Sequence, residues 1–368
     1  MSKTIRVCFV APKAYPLFNS AVAGVIGGAE LDLYYLATEL AHDAGFAVSM
    51  VVADYGQEAG EEWEGVRVIK SLDFGKNVFS GGRRIWRALG KADAQIYVIK
   101  TFSPGVPLTS YFCKRHDRKF IYRTSCRYDS DGTFSRQRPI LGWAFTWALR
   151  RASIVLSQNE KDAQLLKNNI GVTARVIPNG HRFRFLDKKE NEVILWVGRS
   201  THLKRPDLFI ELAQKVPEEK FCMICQEATE DKNYSGLLEQ ARAVKNLQFI
   251  SHVPFGEIDR YFQKARVIVN TSDTEGFPNV FIQGCQWAVP ILSLNVNPDN
   301  FLDKHECGVC AHGDWDLFIK GLKMLLEPEY SVRFVSNGRS YVENKHDISK
   351  IIETYKIMFE DLVQKQKD

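Results

Sequence analysis

The sequence predicts an α/β protein made of two doubly wound parallel-sheet domains. Short apolar runs of strand length alternate with helix-like segments from one end to the other, which is the pattern of parallel sheets with helices on both faces. A polar, charged stretch at 181–191 interrupts the alternation, which then restarts. The chain has 368 residues, a length that suits two such domains.

In the first domain, strands are expected at Ile5–Val10, 48–52, 96–99, 120–122, 154–156 and 176–177. In the second they are expected at 193–197, 221–224, 249–250, 267–269 and 291–292. Helices fall between them, for example at 29–40 and Pro206–Lys215. The domains therefore run over 1–185 and 190–345, with the polar stretch as linker. The last segment, 347–364, has apolar residues at Ile351, Ile352, Tyr355, Ile357, Met358, Phe359 and Leu362. It reads as an amphipathic helix that needs a surface to cover.

Composition narrows the function classes. Hydrophobic residues make up 45% and charged residues 25%, as in an ordinary soluble globular protein. No apolar run reaches membrane-spanning length. The apolar stretch at the N-terminus reads as a first strand and not as a signal peptide, so the expected location is the cytoplasm. The net charge of +5 is not a nucleic-acid signature. Basic residues do cluster in the first half: Arg83, Arg84, Arg87 and Lys91, then Lys114, Arg115, Arg118 and Lys119, then Arg150 and Arg151. Solvated helix faces account for them; so does a peripheral surface toward an anionic membrane or acceptor. The segment 141–151 combines aromatics with terminal cations and fits either a core helix or an interfacial one.

Eight cysteines include two pairs at two-residue spacing. Cys222 and Cys225 sit on an expected strand, where residues three apart point to opposite faces and cannot share a metal. Cys307 and Cys310 flank an expected turn at Gly308 and Val309 and have no second half. Buried free thiols are the expectation, with no metal site.

The chemistry concentrates where strands hand over to helices. Val267, Ile268 and Val269 form a buried strand; Thr274-Glu275-Gly276-Phe277-Pro278-Asn279-Val280 turns tightly, and a helix follows. In open α/β sheets that crevice binds ligands, and a helix N-terminus there suits a phosphate. A carboxylate beside a phosphate seat points to a sugar hydroxyl. In the same domain, Trp196-Val197-Gly198-Arg199 ends a strand, and Lys204 precedes Pro206 at the next helix start. Arg as a planar fork and Lys as a point charge would clamp a diphosphate. In the first domain, Gly24, Gly27 and Gly28 open a helix and let backbone approach a ligand, or simply form a flexible loop. Neither the dinucleotide motif G-x-G-x-x-G nor a Walker A lysine is present, which argues against a dehydrogenase.

Gly27-Gly28-Ala29-Glu30, Val176-Ile177-Pro178-Asn179-Gly180, Val197-Gly198-Arg199 with Lys204, and Glu275-Gly276-Phe277 followed by Val289-Pro290 occur in that order. Together they resemble the family 4 glycosyltransferases, retaining enzymes of the GT-B fold, in which two Rossmann-like domains face a central cleft. The resemblance covers nearly the whole chain. It implies that Arg199 and Lys204 hold the donor diphosphate and that Glu275 contacts the donor sugar. Gly198, Gly276 and the backbone of Phe277, Pro278, Asn279 and Val280 would line the donor. Gly27 and Gly28 would approach it from the first domain, and the C-terminal helix would return to that domain. The implied partners are a nucleotide sugar and a glycan or lipid-linked acceptor, with no cofactor, in bacterial polysaccharide or lipopolysaccharide assembly.

Two positions depart from the family pattern. Gln283 stands where a second Glu usually grips the ribose; an amide loses the charge-assisted bond. The stretch Tyr122-Arg123-Thr124-Ser125-Cys126-Arg127 lacks the usual His. Ser125, Cys126 or Arg127 is left as its replacement, while Asp129 and Asp131 read as surface-loop acids that could also bind an acceptor hydroxyl. A nucleotide-sugar epimerase and a degenerate, non-catalytic binding subunit remain as alternatives. The sugar, base and acceptor would be set by loops such as 16–26 and 102–107.

Overall fold

A computed structural model of the chain describes residues 4–183, 191–228 and 231–364. The expected linker falls mostly outside the described residues. The chain divides into two compact units, the first reaching Arg182 and resuming at Asp347, the second running from Phe183 to His346.

The first unit is built on an eight-stranded sheet of order β3-β4-β2-β1-β5-β6-β7-β8. Its strands are β1 (Ile5–Val10), β2 (Phe46–Val52), β3 (Glu62–Trp63), β4 (Val66–Lys70), β5 (Ile96–Lys100), β6 (Lys119–Arg123), β7 (Ile154–Ser157) and β8 (Arg175–Val176). All neighbours pair parallel except β3 with β4. The β3–β4 pair is absent from the sequence reading. The second unit carries a six-stranded, wholly parallel sheet of order β11-β10-β9-β12-β13-β14. These strands are β9 (Val193–Arg199), β10 (Phe221–Gln226), β11 (Leu247–Ile250), β12 (Ala265–Asn270), β13 (Ile291–Ser293) and β14 (Gly308–Cys310).

Helices cover the sheets. The longer ones are α1 (Gly28–Ala41), α2 (Val78–Ala92), α3 (Gly105–Arg115), α4 (Pro139–Arg150), α5 (Pro206–Lys215), α6 (Tyr234–Arg242), α7 (Asn279–Gln286), α8 (Trp315–Leu326), α9 (Pro328–Lys345) and α10 (Ile348–Gln364). None of the described helices is long and apolar enough to cross a membrane. The central strands of both sheets are buried on both faces, as crossover helices require. On β9, Ile194 and Trp196 join one core while Leu195 joins the core on the other face. Cys225 and Cys222 divide in the same way on β10, because side chains alternate along a strand. Cys307 and Cys310 instead share one core. The turn expected there is a strand, β14, and Gly308 explains it. A Cβ at that position would lie 2.1 Å from the Ile291 carbonyl oxygen, so only glycine lets β14 pair closely with β13.

The amphipathic C-terminal helix, α10, packs on α1 and β1 and buries Ile351, Ile352, Tyr355, Met358 and Phe359. Gly180 lets it start close by: a Cβ there would meet Ile348 Cδ1 at 2.3 Å. Helix α4 is a core helix, with Phe145, Ala148 and Leu149 buried, yet it leaves Ile140 and Trp143 exposed.

A buried ionic cluster locks the carboxyl ends of β5 and β6. Asp32, on the first turns of α1, accepts from Lys100 Nζ at 2.8 Å and from Arg123 Nε at 2.7 Å. All three side chains are at most 2% exposed. Arg123 also donates to the carbonyls of Ile177 (2.9 Å) and Pro178 (3.0 Å) and to Asn179 Oδ1 (2.9 Å). Asn179 in turn donates to Gln158 Oε1 at 2.9 Å. The segment Val176-Ile177-Pro178-Asn179-Gly180 is therefore held by one guanidinium that takes up its carbonyl oxygens. Burial alone would raise the Asp32 carboxyl, but the charges of Arg123 and Lys100 outweigh it and hold it down at about 2.

Candidate functional site

In the second unit the strand order reverses direction between β9 and β12. In an open parallel sheet this is the point where crossovers leave to opposite faces and open a crevice at the strand carboxyl ends. Arg199 is the last residue of β9, and Lys204 follows in a short 3-10 turn before α5. Glu275 follows the neighbouring strand β12 and precedes α7. The topology thus brings both connections to one place, as their position after strands predicts.

The side chains confirm the convergence of Lys204 and Glu275. Lys204 Nζ donates to Glu275 Oε1 in a short ion pair. Ser272 Oγ donates to the same oxygen at 2.8 Å. The side chains of Lys204 and Glu275 are 26% and 15% exposed, so the pair lies at the surface of the crevice and not in the core. Arg199 is half-buried, and its guanidinium makes no hydrogen bond or ion pair among the described residues. A cation held at a switch point without a protein partner is free to meet an anion.

Thr271 and Asp273, both outside the sequence reading, fix this geometry together with Trp196. Thr271 Oγ1 shares its one proton between the carbonyls of Lys204 (2.9 Å) and Arg205 (2.8 Å), tying the two connections together. Trp196 Nε1 donates to Thr271 Oγ1 at 3.0 Å. Asp273 N adds a backbone bond to the Leu203 carbonyl at 2.9 Å. Thr271 and Ser272 stand beside Glu275 in sequence, so two hydroxyls ahead of the acid were the available signal. Their targets across the crevice are not readable from order alone.

Gly198 has a defined role here. A Cβ on it would press on the Trp196 ring at 2.7 Å. Gly198→Ala is expected to displace that ring, weaken its bond to Thr271 and cost about 1–3 kcal/mol. Urea unfolding measures the cost, and an unchanged midpoint would show that the ring yields freely.

Helix α7 begins after Pro278, directly behind the turn that carries Glu275, so its positive dipole end lies at the same strand-to-helix handover. Gly276, Phe277 and Pro278 are buried, whereas Asn279, Val280 and Gln283 are half-buried. The Phe277 ring belongs to an aromatic core with Phe301, Tyr341 and His346. It anchors the turn, with its ring turned into the core and away from the crevice. Gln283 lies one helical turn beyond Asn279, and its amide has no hydrogen-bond partner among the described residues.

In the first unit, Gly27 and Gly28 open α1 as expected. The Gly27 N–H donates to Glu30 Oε2 at 3.0 Å, so the helix caps itself there. Asp129 corrects the sequence reading: it is fully buried and not a surface acid. Its carboxyl accepts from Ser125 Oγ at 3.0 Å and from the Ser125 and Cys126 backbone, and burial pushes its pKa up. Asp129 therefore shapes the loop after β6, and Ser125 and Cys126 are turned toward it. Asp131 is half-buried and caps the Thr133 N–H at 2.8 Å. No group of three or more His, Cys, Asp or Glu among the described residues is arranged to hold a metal ion.

Comparison with known proteins agrees with this architecture. The family model described as Glycosyltransferase Family 4 matches residues 26–182, and the one described as Glycosyl transferases group 1 matches 179–341. An uncharacterized glycosyltransferase of Haemophilus influenzae is 27% identical over 46% of this chain and 50% of its own length. The chain spans about half the length of the curated relatives it matches. Among solved structures, a sucrose-phosphate synthase from Thermosynechococcus elongatus superposes with a TM-score of 0.79 at 15% identity. That match covers 97% of this chain and 99% of the other. WaaG, a glycosyltransferase involved in lipopolysaccharide biosynthesis, gives a TM-score of 0.69 at 14% identity, over 95% and 98% of the two chains.

Proposed function

Because the chain belongs to the glycosyltransferases of the family 4 type, with the GT-B fold, we propose that it moves a sugar from a nucleoside-diphosphate sugar to a hydroxyl of a glycan or lipid-linked acceptor, with retention at the anomeric carbon. One observation carries the reading: the Lys204–Glu275 pair and the unpartnered Arg199 guanidinium stand at the switch point beside the start of α7.

In this reading Arg199, Lys204 and the α7 N-terminus hold the donor diphosphate. The reaction breaks the bond between the anomeric carbon and the diphosphate, so negative charge grows on the departing oxygen. Cations already in place stabilise that charge without reorganising. The departing phosphate oxygen takes the acceptor proton, and the acceptor oxygen bonds to the same face of the sugar. Glu275, oriented by Ser272 and Lys204, accepts from a sugar hydroxyl and positions the ring. Gly198, Gly276 and the backbone of Phe277, Pro278, Asn279 and Val280 line the donor. The Gln283 amide bonds the ribose. The protein's own cations supply the charge stabilisation, so the reading calls for no cofactor.

The setting we propose is cell-surface polysaccharide or lipopolysaccharide assembly at the cytoplasmic side of a membrane. Exposed Ile140 and Trp143 on α4, with the nearby cations, favour a peripheral contact with an anionic bilayer. A thermal-shift panel of UDP-, GDP- and ADP-sugars tests the donor assignment. One base is expected to stabilise the protein, by about 2.7 kcal/mol at a hundredfold excess over Kd. Silence across the panel favours a non-catalytic subunit, and donor conversion without acceptor favours an epimerase.

A further inference from the structure

At the opposite end of the first sheet from its strand carboxyl ends, a cavity of about 310 Å³ opens beside the last turns of α3 and α4. Ser110, Lys114, Arg118, Arg150, Arg151 and Ser153 line it, and no acidic side chain does. We propose that this cavity is a binding site for a phosphate group, separate from the donor seat of the second unit and going beyond the function proposed above.

The cations are positioned and not merely abundant. Arg118 Nη2 is fixed by Asp93 at 2.7 Å. Arg150 donates through Nε and Nη2 to the Ile170 carbonyl at 3.2 and 3.1 Å. The Arg151 guanidinium stacks over the Trp147 ring at 5.1 Å. An arginine has five N–H donors, so each keeps donors for a further acceptor. Lys114 has no hydrogen-bond or ion-pair partner among the described residues.

Neutralising the helix ends does not use up this charge. Cations at a helix C-terminus offset its partial negative charge, about half a unit per helix. Two helix ends therefore take about one of the four cations, and Asp93 takes up Arg118. Roughly two positive charges are left facing the cavity, matching a phosphate that carries about −1.5 to −2.

A hydroxyl joins the cations in the lining. Ser110 is 3% exposed in mid-helix, lines the cavity, and its hydroxyl makes no hydrogen bond among the described residues. Its oxygen is not sealed from solvent, so it stays open to the cavity and can donate to a phosphate oxygen there. The space suffices for a phosphoryl group with ordered water, each water taking about 30 Å³.

The phosphate could belong to a free phosphorylated molecule or to a lipid headgroup, and two arms of one experiment separate them. Calorimetry on the full chain, in an Arg199→Ala background that weakens the donor seat, follows titration with inorganic phosphate. Pelleting at fixed ionic strength follows binding to vesicles of phosphatidylcholine with or without phosphatidylglycerol. Lys114→Glu with Arg151→Glu is expected to weaken whichever binding occurs by at least tenfold, roughly 1.4 kcal/mol. Lys320→Glu with Lys323→Glu on α8, the same change in charge, is expected to leave it within about twofold. Loss in the phosphate arm identifies a free ligand, and loss confined to the vesicle arm identifies a headgroup. Should the double variant fold poorly by circular dichroism, Lys114→Ala, which removes no contact within the protein, is expected to weaken binding about threefold to fivefold. The proposal is overturned if neither arm shows saturable binding, or if the α8 control loses as much as the pocket variants.

Discussion

Replacing Arg199 and Lys204 together with alanine is expected to lower kcat/KM for sugar transfer by about 10³-fold or more, while the chain stays folded. Single donors that stabilise developing charge are typically worth about 10²–10³. Here two cations serve one leaving group, so their effects overlap and need not multiply. The stability cost is small because the Lys204–Glu275 pair is partly exposed, and pairs of that kind contribute about 0–1 kcal/mol. Lys204→Ala alone also frees the Glu275 carboxylate, which keeps only Ser272 among the described residues; sugar placement then suffers along with diphosphate binding. Glu275→Gln separates the two roles. It keeps a hydrogen-bond acceptor and removes the charge, so transfer should fall with nucleoside-diphosphate affinity almost intact. Turnover by the double variant within tenfold of the parent would remove the clamp from the mechanism.

The legible part of this site was legible for a physical reason. Strand-to-helix turns announce themselves locally: apolar β-branched runs end, glycine or proline follows, and a helix begins. Arg199, Lys204 and Glu275 stand at such points, and parallel topology sends all such points after strands to one sheet edge. The Glu275 partners were hidden because hydrogen bonds from Ser272 and across to Lys204 depend on which strands are neighbours. Asp129 was misread because its surroundings, Tyr128 and Ser130 to Thr133, are mostly polar; only the structure shows that its carboxyl folds back on Ser125. The β3–β4 pair was missed because β3 is two residues long. Cys307 and Cys310 looked like a turn because Gly308 marks one in most contexts, whereas here it permits close pairing with β13.

The buried Asp32–Arg123–Lys100 cluster left only its individual residues in the sequence, yet the largest stability effect is expected there. Asp32→Asn should destabilise the protein by about 3–5 kcal/mol, because it leaves Arg123 charged, fully buried and without its counter-ion. Lys100 softens the loss, since burial already holds its pKa down at about 8 and it can shed its proton. Arg123 cannot, and its remaining bonds to Ile177, Pro178 and Asn179 are to neutral acceptors. Adding Arg123→Met should therefore recover part of the loss, so that the double variant is more stable than the sum of the single losses predicts. Acid unfolding gives an independent check. The Asp32 carboxyl titrates lower in the folded chain, at about 2, than its ordinary 3.8, so the unfolded chain binds more protons between those values. Its contribution, on the order of 2 kcal/mol, is complete above the ordinary value and lost as pH falls toward 2. Asp32→Asn should flatten that part of the acid limb. A urea midpoint equal to that of the parent at neutral pH would mean that the cluster holds the segment 176–180 through hydrogen bonds alone and that its charges cancel without net stabilisation.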